Sequence, residues 1–225
     1  GNVRMRLVAP SHWMAEQARK SSLMHGVPVD VIRNPIDLSQ FRPMAPSEAK
    51  RCLGIDPNFP CVLYVSHSVK SKAKGIDEYL GVLSRLRDIP NLTGIVVGRG
   101  RVDVSKAGVP VRFLGYIRDT EQQRIAYSAA DVFVMPSHAE TISQTIVEAF
   151  ACNTPTVAFN VGGIPDLVHD DETGFLVPFC NVDELAAKTR WLIESPGKRD
   201  AFARNGARLV RQEFSNKRSV QDYLE

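Results

Sequence analysis

Two carboxylates carry the first chemical signal. Glu140 and Glu148 stand eight positions apart in Pro136-Ser137-His138-Ala139-Glu140-Thr141-Ile142-Ser143-Gln144-Thr145-Ile146-Val147-Glu148-Ala149-Phe150-Ala151. The stretch reads as a buried strand end, a tight loop holding the first acid, and a helix holding the second. In a parallel α/β sheet that joint lies just outside the carboxyl ends of the strands, where ligands bind. The helix start offers unpaired N–H groups and partial positive charge, which suit a phosphate. Two acids so spaced cannot both face that phosphate. They suit sugar hydroxyls, one set on each side of it. Ribose, two phosphates and a sugar, as in a nucleoside diphosphate sugar, have that layout.

Other groups could join this chemistry. Lys74 precedes Gly75 in a basic loop with Lys70 and Lys72. A solvated ammonium is the plain reading of it there. His67 sits at a strand end in Ser66-His67-Ser68, and His138 lies beside Glu140. Either histidine could touch phosphate or sugar, or be an ordinary loop residue. Gly98 and Gly100 end a strand and permit a tight turn. The full GxGxxG fingerprint with a following acid is missing, which argues against a nicotinamide dinucleotide. Cys52, Cys61, Cys152 and Cys180 form no CxxC pair, so reduced core thiols are expected rather than a zinc site or disulfides.

The elements that must position these groups are legible as continuous apolar runs, the mark of strands buried on both faces. They are 61–65, 94–97, 111–114, 132–135, 155–159 and 174–177. Helical patterns alternate with them. Ile76, Tyr79, Leu80, Leu83 and Leu86 recur at helical spacing, and Thr120 with Gln123 has the form of a capping box for a helix ending at Ala130. Asn153 stands where a helix end favours a left-handed residue, and Pro155 stops continuation. This alternation predicts a doubly wound parallel sheet. Before it, Arg6–Ala9, a helix capped by Ser11, and Val29–Ile32 make a small unit of their own. Residues 42–47 read as a linker, the tail from Pro196 as helical, and Trp13 and Trp191 as packing.

With 225 residues, 44% of them apolar, the chain can fill one large domain or a domain plus a piece of another. A net charge of +3, scattered rather than clustered, suits a small anion or loose contact with an acidic membrane and argues against nucleic acid. No run approaches the ~20 apolar residues of a membrane span, and no secretory leader is read at the start. Gly1, not Met, opens the chain, which reads as a processed or truncated end.

The order of short motifs resembles the C-terminal, donor-binding half of the GT-B glycosyltransferases of family 4, the glycosyl transferases group 1 family. The landmarks run from Val8-Ala9-Pro10-Ser11 through Val31-Ile32-Arg33-Asn34-Pro35-Ile36-Asp37, Lys74-Gly75-Ile76-Asp77, Val97-Gly98-Arg99-Gly100 and Phe113-Leu114-Gly115-Tyr116. They continue through Ala130-Asp131-Val132-Phe133-Val134-Met135-Pro136-Ser137, the Glu140…Glu148 pair, Gly162-Gly163-Ile164-Pro165-Asp166 and Thr173-Gly174-Phe175-Leu176-Val177-Pro178. Each is weak alone, and together they are specific. The resemblance implies that Glu148 accepts from ribose hydroxyls, that Glu140 lies near the donor sugar, and that Lys74 meets the diphosphate. It implies that the loop of Tyr116 and Ile117 flanks the nucleobase and that Ile142, Ser143, Gln144 and Thr145 lie near the phosphates, with Gly98, His67 and His138 as further donor-binding candidates. Thr141-Ile142-Ser143 replaces the more usual Gly-Phe-Gly, which bears on how closely the backbone approaches the diphosphate. His67 stands near where many members have arginine.

The resemblance further implies an α/β, Rossmann-like fold, the C-terminal half of GT-B. Residues 1–38 would be a remnant of the N-terminal domain and 39–225 the nucleotide-sugar-binding domain. The expected reaction moves a sugar from a UDP- or GDP-linked donor to a glycan or lipid-linked acceptor with retention, in polysaccharide or glycoconjugate synthesis, with no cofactor and no metal. The N-terminal half, in cis or in trans, is the expected partner. The expected location is cytoplasmic, with peripheral membrane contact through the acceptor-binding half. A non-catalytic sugar-nucleotide-binding module and an epimerase of the same architecture are the alternatives.

Overall fold

A computed structural model describes residues 5–224. Gly1 and the next three residues, read above as the start of the first unit, lie outside them.

The first unit is a parallel pair, β1 (Leu7–Ala9) and β2 (Val29–Val31), joined by helix α1 (His12–Lys20). Ser11 caps α1 as expected, its Oγ accepting from the Met14 N–H at 3.1 Å. Helix α2 (Pro46–Cys52) follows, so residues 42–47 are a linker only up to Ala45, and Pro46 opens the helix. Proline is well placed there, because a first-turn N–H has no helical acceptor in any case.

The main sheet comprises β3 (Cys61–Ser68), β4 (Thr93–Arg99), β5 (Val111–Gly115), β6 (Val132–Met135), β7 (Thr156–Phe159) and β8 (Gly174–Val177). Every pairing is parallel, in the order β5-β4-β3-β6-β7-β8. The strand order reverses between β3 and β6, leaving a crevice at their carboxyl ends. Between the strands run α3 (Ile76–Arg85), α4 (Thr120–Ala129) and α5 (Gln144–Ala151), and after β8 come α6 (Val182–Glu194), α7 (Pro196–Glu213) and α8 (Asn216–Leu224).

Alternate residues of β3 enter different cores. Cys61 and Leu63 pack with residues of α4, α5 and α7, whereas Val62 and Tyr64 pack with α3 and α6. That two-sided burial is why the strands read as unbroken apolar runs. Trp191 packs on Phe175 and Phe202 although 38% of it stays exposed, and Trp13 is 36% exposed. Cys61 and Cys152 are buried free thiols, but Cys52 and Cys180 are exposed.

The cap of α4 also differs from expectation. Asp119, not Thr120, is the N-cap, accepting from the Glu121 N–H at 3.1 Å. Gln123 instead donates to the Ile117 carbonyl at 3.1 Å. Asn153 does adopt the left-handed conformation, with φ 61°. Near the amino ends of the strands, the buried Lys50 ammonium lies 2.9 Å from Asp131, which also accepts from the Cys61 N–H at 2.8 Å. This pair ties α2 to the start of β6 in a place where solvent cannot screen it.

Candidate functional site

The crevice beside the strand-order reversal collects the candidate residues, and backbone contacts bring them there. After β3 the chain makes a short 3₁₀ turn, Lys72–Lys74, ending at Gly75 with φ 73°. Lys74 therefore lies on this turn rather than on α3 itself. A Cβ on Gly75 would fall 2.0 Å from the Pro136 carbonyl oxygen, so only glycine lets the turn dock on the loop after β6. The His138 N–H donates to the Ala73 carbonyl at 2.9 Å and closes that junction.

The docking places the Lys74 ammonium 2.6 Å from Glu140 Oε1. The lysine side chain is 36% exposed and the glutamate 11%. Glu140 is thus largely withdrawn from solvent as one half of an ion pair. Its loop is held from the other side as well. Gly162, with φ 55°, leaves no room for a Cβ, which would lie 1.9 Å from the Glu140 carbonyl oxygen. The Gly163 N–H donates to that carbonyl at 2.9 Å, and Ser11 Oγ donates to the Thr141 carbonyl at 2.8 Å. The first unit therefore touches the site loop directly. Arg33 adds a 3.2 Å ion pair to Asp166 in the turn after Gly163.

Thr141-Ile142-Ser143 then leads into α5 without a positive φ, so this loop needs no glycine of its own. Ile142 packs against the core, and Ser143 is buried at the N-cap. Ser143 makes no capping bond, its Oγ lying 2.9 Å from Thr145 Oγ1 instead. The N–H groups of the first turn, at Gln144 and Thr145, are thereby left open to an anion.

Glu148 lies further along α5. Glu148 is partly buried, and Oε2 accepts a hydrogen bond from the Tyr127 O–H at 2.6 Å. Burial pushes its carboxyl up to about 7, against which the Tyr127 bond works. Burial likewise raises the Tyr127 phenol well above its usual range, so it stays a donor.

On the far side of Lys74 the ends of β3, β4 and β5 meet. Gly98 lies so close to β3 that a Cβ would fall 2.7 Å from the Ser66 carbonyl oxygen. His67 is exposed, its ring 5.2 Å from that of Tyr116. Tyr116 is itself 43% exposed, with the Arg99 guanidinium 5.0 Å from its ring centre and that of Arg118 at 5.9 Å. Ile117 is buried behind it. His138 is more than a plain loop residue, because Nε2 lies 2.7 Å from Glu78 and the ring packs on Phe179.

The structure thus brings Lys74, Glu140, His138 and the start of α5 into one cluster, with His67, Gly98, Tyr116 and Ile117 along the neighbouring strand ends. Sequence reasoning missed Tyr127, Glu78 and Phe179. Glu78 stands in the first turn of α3, where acids are common for helix-dipole reasons, so it carried no distinctive signal. Tyr127 lies 21 residues from its partner on another helix. Among the described residues, no three His, Cys, Asp or Glu side chains group as metal ligands would, and no helix is long and apolar enough to cross a membrane. A polar cavity of about 370 Å³, lined by His12, Arg33, Glu213 and Arg218 among others, lies elsewhere, between the first unit and α7–α8.

Comparison with known proteins gives this geometry a family context. The family model described as Glycosyl transferases group 1 matches residues 47–209. The alpha-maltose-1-phosphate synthase of Mycobacterium tuberculosis is 32% identical over 83% of this chain and 53% of its own. Sucrose-phosphate synthase from Thermosynechococcus elongatus superposes with a TM-score of 0.85 at 27% identity, over 96% of this chain and 56% of its own. Anabaena HepE in complex with UDP-glucose superposes with a TM-score of 0.80 at 25% identity, over 97% and 62%. The chain spans about a third to a little over half the length of the curated relatives it matches.

Proposed function

The chain belongs to the glycosyl transferases group 1 family, and from that premise we propose that it is the donor-binding half of a retaining glycosyltransferase. Its donor is a UDP- or GDP-linked sugar. One observation carries the reading: a 2.6 Å Lys74–Glu140 pair beside the uncapped start of α5, with Glu148 on the same helix. Cation and open N–H groups suit two phosphates, and an acid on either side suits hydroxyls.

In this reading the diphosphate enters between Lys74 and the N–H groups of Gln144 and Thr145. Lys74 leaves Glu140 for the phosphate, and Glu140 is freed to accept from the donor sugar. Glu148 takes a ribose hydroxyl. The base lies along Gly98, Tyr116 and Ile117, and His67 and His138 stand at the phosphate side. When the bond from the anomeric carbon to the diphosphate oxygen breaks, its electron pair leaves with the diphosphate. Lys74 and the helix N–H groups stabilise that charge, so no metal ion is needed. The acceptor hydroxyl oxygen then bonds to the same face of the anomeric carbon and passes its proton to the departing diphosphate oxygen.

Residues 1–38 are proposed as the end of an N-terminal domain and 39–225 as the donor domain. The separate two-stranded sheet at the start supports that division. The rest of the acceptor-binding half would act in cis or in trans, with a glycan or lipid-linked acceptor at a cytoplasmic or peripheral membrane location and a product in polysaccharide or glycoconjugate synthesis.

A thermal-shift panel of UDP, GDP, ADP and their sugars, run in EDTA, tests the proposal. Saturation at a hundredfold excess over the dissociation constant should add about 2.7 kcal/mol. No shift with any of them at millimolar concentration would overturn it. Lys74→Ala should weaken the diphosphate and spare the nucleoside. Equal losses would remove Lys74 from the phosphates.

A further inference from the structure

Tyr127 has no place in the reading above, yet it touches the acid that would hold the ribose. It stands on α4 and is 1% exposed. Its ring is wedged against Phe41 at 6.4 Å and Phe133 at 6.0 Å, edge to face in both cases. Its carbonyl accepts from Thr154 Oγ1 at 2.7 Å. Ring and backbone are thus both fixed, and the phenol O–H has one direction to point. It points at Glu148 Oε2, 2.6 Å away.

A carboxylate has two oxygens. With Oε2 occupied by the phenol, Oε1 has no protein donor among the described residues. We propose that Tyr127 is a positioning residue for Glu148: its O–H holds Oε2 and leaves Oε1 to accept from a ribose hydroxyl. The inference rests on the donor-site reading and deepens it. Tyr127→Phe would fill the same space but let the carboxylate rotate and lose a donor.

The phenol also favours the ionised acid. Burial and the Tyr127 bond are the two influences on Glu148, acting in opposite directions. Around it, Cys152 is a neutral thiol pushed up to about 12, and Arg124 is engaged by Glu121. Removal of the phenol O–H therefore leaves burial unopposed, and Glu148 should hold its proton to higher pH.

The test is calorimetry with UDP and with GDP across pH 5.5–8.5, on wild type, Tyr127→Phe and Thr154→Val. For whichever nucleotide binds wild type, Tyr127→Phe should weaken binding about tenfold at neutral pH. The midpoint of the pH dependence should rise by roughly one pH unit. The 2′- or 3′-deoxy analogue that costs wild type affinity should cost the variant less. Thr154→Val removes a bond to the Tyr127 backbone only, so it should lower the melting temperature with the midpoint unmoved. Carboxyl ¹³C titration of Glu148 reads the same midpoint without ligand. Where Tyr127→Phe does not fold, 3-fluorotyrosine at 127, a stronger donor, should move that midpoint down. If wild type binds neither nucleotide, the donor-site reading falls and takes the ribose role with it. If wild type binds and Tyr127→Phe matches it in affinity and midpoint, Tyr127 only packs and the inference is wrong.

Discussion

Glu148 keeps a carboxyl in a place where burial disfavours its charge. The folded chain therefore binds that proton more tightly than the unfolded one, whose acid has the ordinary value of 4.5. The raised acid contributes stability below pH ~4.5 and loses it as pH rises through about 7. Glu148→Gln removes this penalty and keeps an acceptor for Tyr127. Its melting temperature should exceed that of wild type by little at pH 5 and by more at pH 8, toward a bound of roughly 3 kcal/mol. An equal gap at both pH values would show that Glu148 is not held protonated by burial. The two acids should also part in binding. Glu148→Ala should weaken free nucleotide and nucleotide sugar alike, by roughly 1.5–3 kcal/mol for bonds to a charged group. Glu140→Ala should spare the free nucleotide and reduce only what the sugar adds. Calorimetry with both ligands decides, and the reverse pattern would mean that the roles have been exchanged.

At the scale of elements, the site is a seam between loops rather than a pocket in one of them. The turn before α3, the loop before α5 and the turn after β7 meet backbone to backbone at Gly75 and Gly162. Gly162→Ala combines a left-handed backbone with a Cβ 1.9 Å from the Glu140 carbonyl oxygen. It should destabilise the fold by about 1–3 kcal/mol and displace the Glu140 loop. Donor affinity should fall in a chain that remains folded by circular dichroism. Gly197→Ala, at an unhindered position on α7, is the control. It should be silent or slightly stabilising, since helical Gly→Ala gains up to ~1 kcal/mol. If the Gly162 and Gly197 variants behave alike, the contact at Gly162 carries no weight.

Over the whole molecule, a complete six-stranded sheet is joined to a two-stranded one. The candidate binding groups sit on the larger unit, and the smaller unit touches the adjoining loops through Ser11, His12 and Arg33. The chain by itself should therefore bind donor and transfer little or no sugar. Slow hydrolysis of the donor is expected, because an open cleft admits water to the anomeric carbon. Product analysis with and without added acceptor checks this, and robust transfer by the purified chain alone would overturn the half-enzyme reading.

Fold class and strand positions were legible along the chain because a strand buried on both faces writes itself as a local apolar run. Leu63 and Val62 need different cores, yet both must be apolar, and that requirement is visible without coordinates. The Asn153 turn was legible for the same local reason, whereas the α4 cap was misplaced by one residue because Asp119 and Thr120 can both cap. Glu140, Glu148 and Lys74 could be named from type and spacing, but their partners could not. The Lys74–Glu140 pair spans 66 residues and the Tyr127–Glu148 bond 21, and each exists because parallel crossovers bring distant segments side by side. Burial of a charge, and what it does to a proton, is likewise a property of the neighbours. Sequence dictates which groups are available, and only tertiary packing decides which of them water no longer reaches.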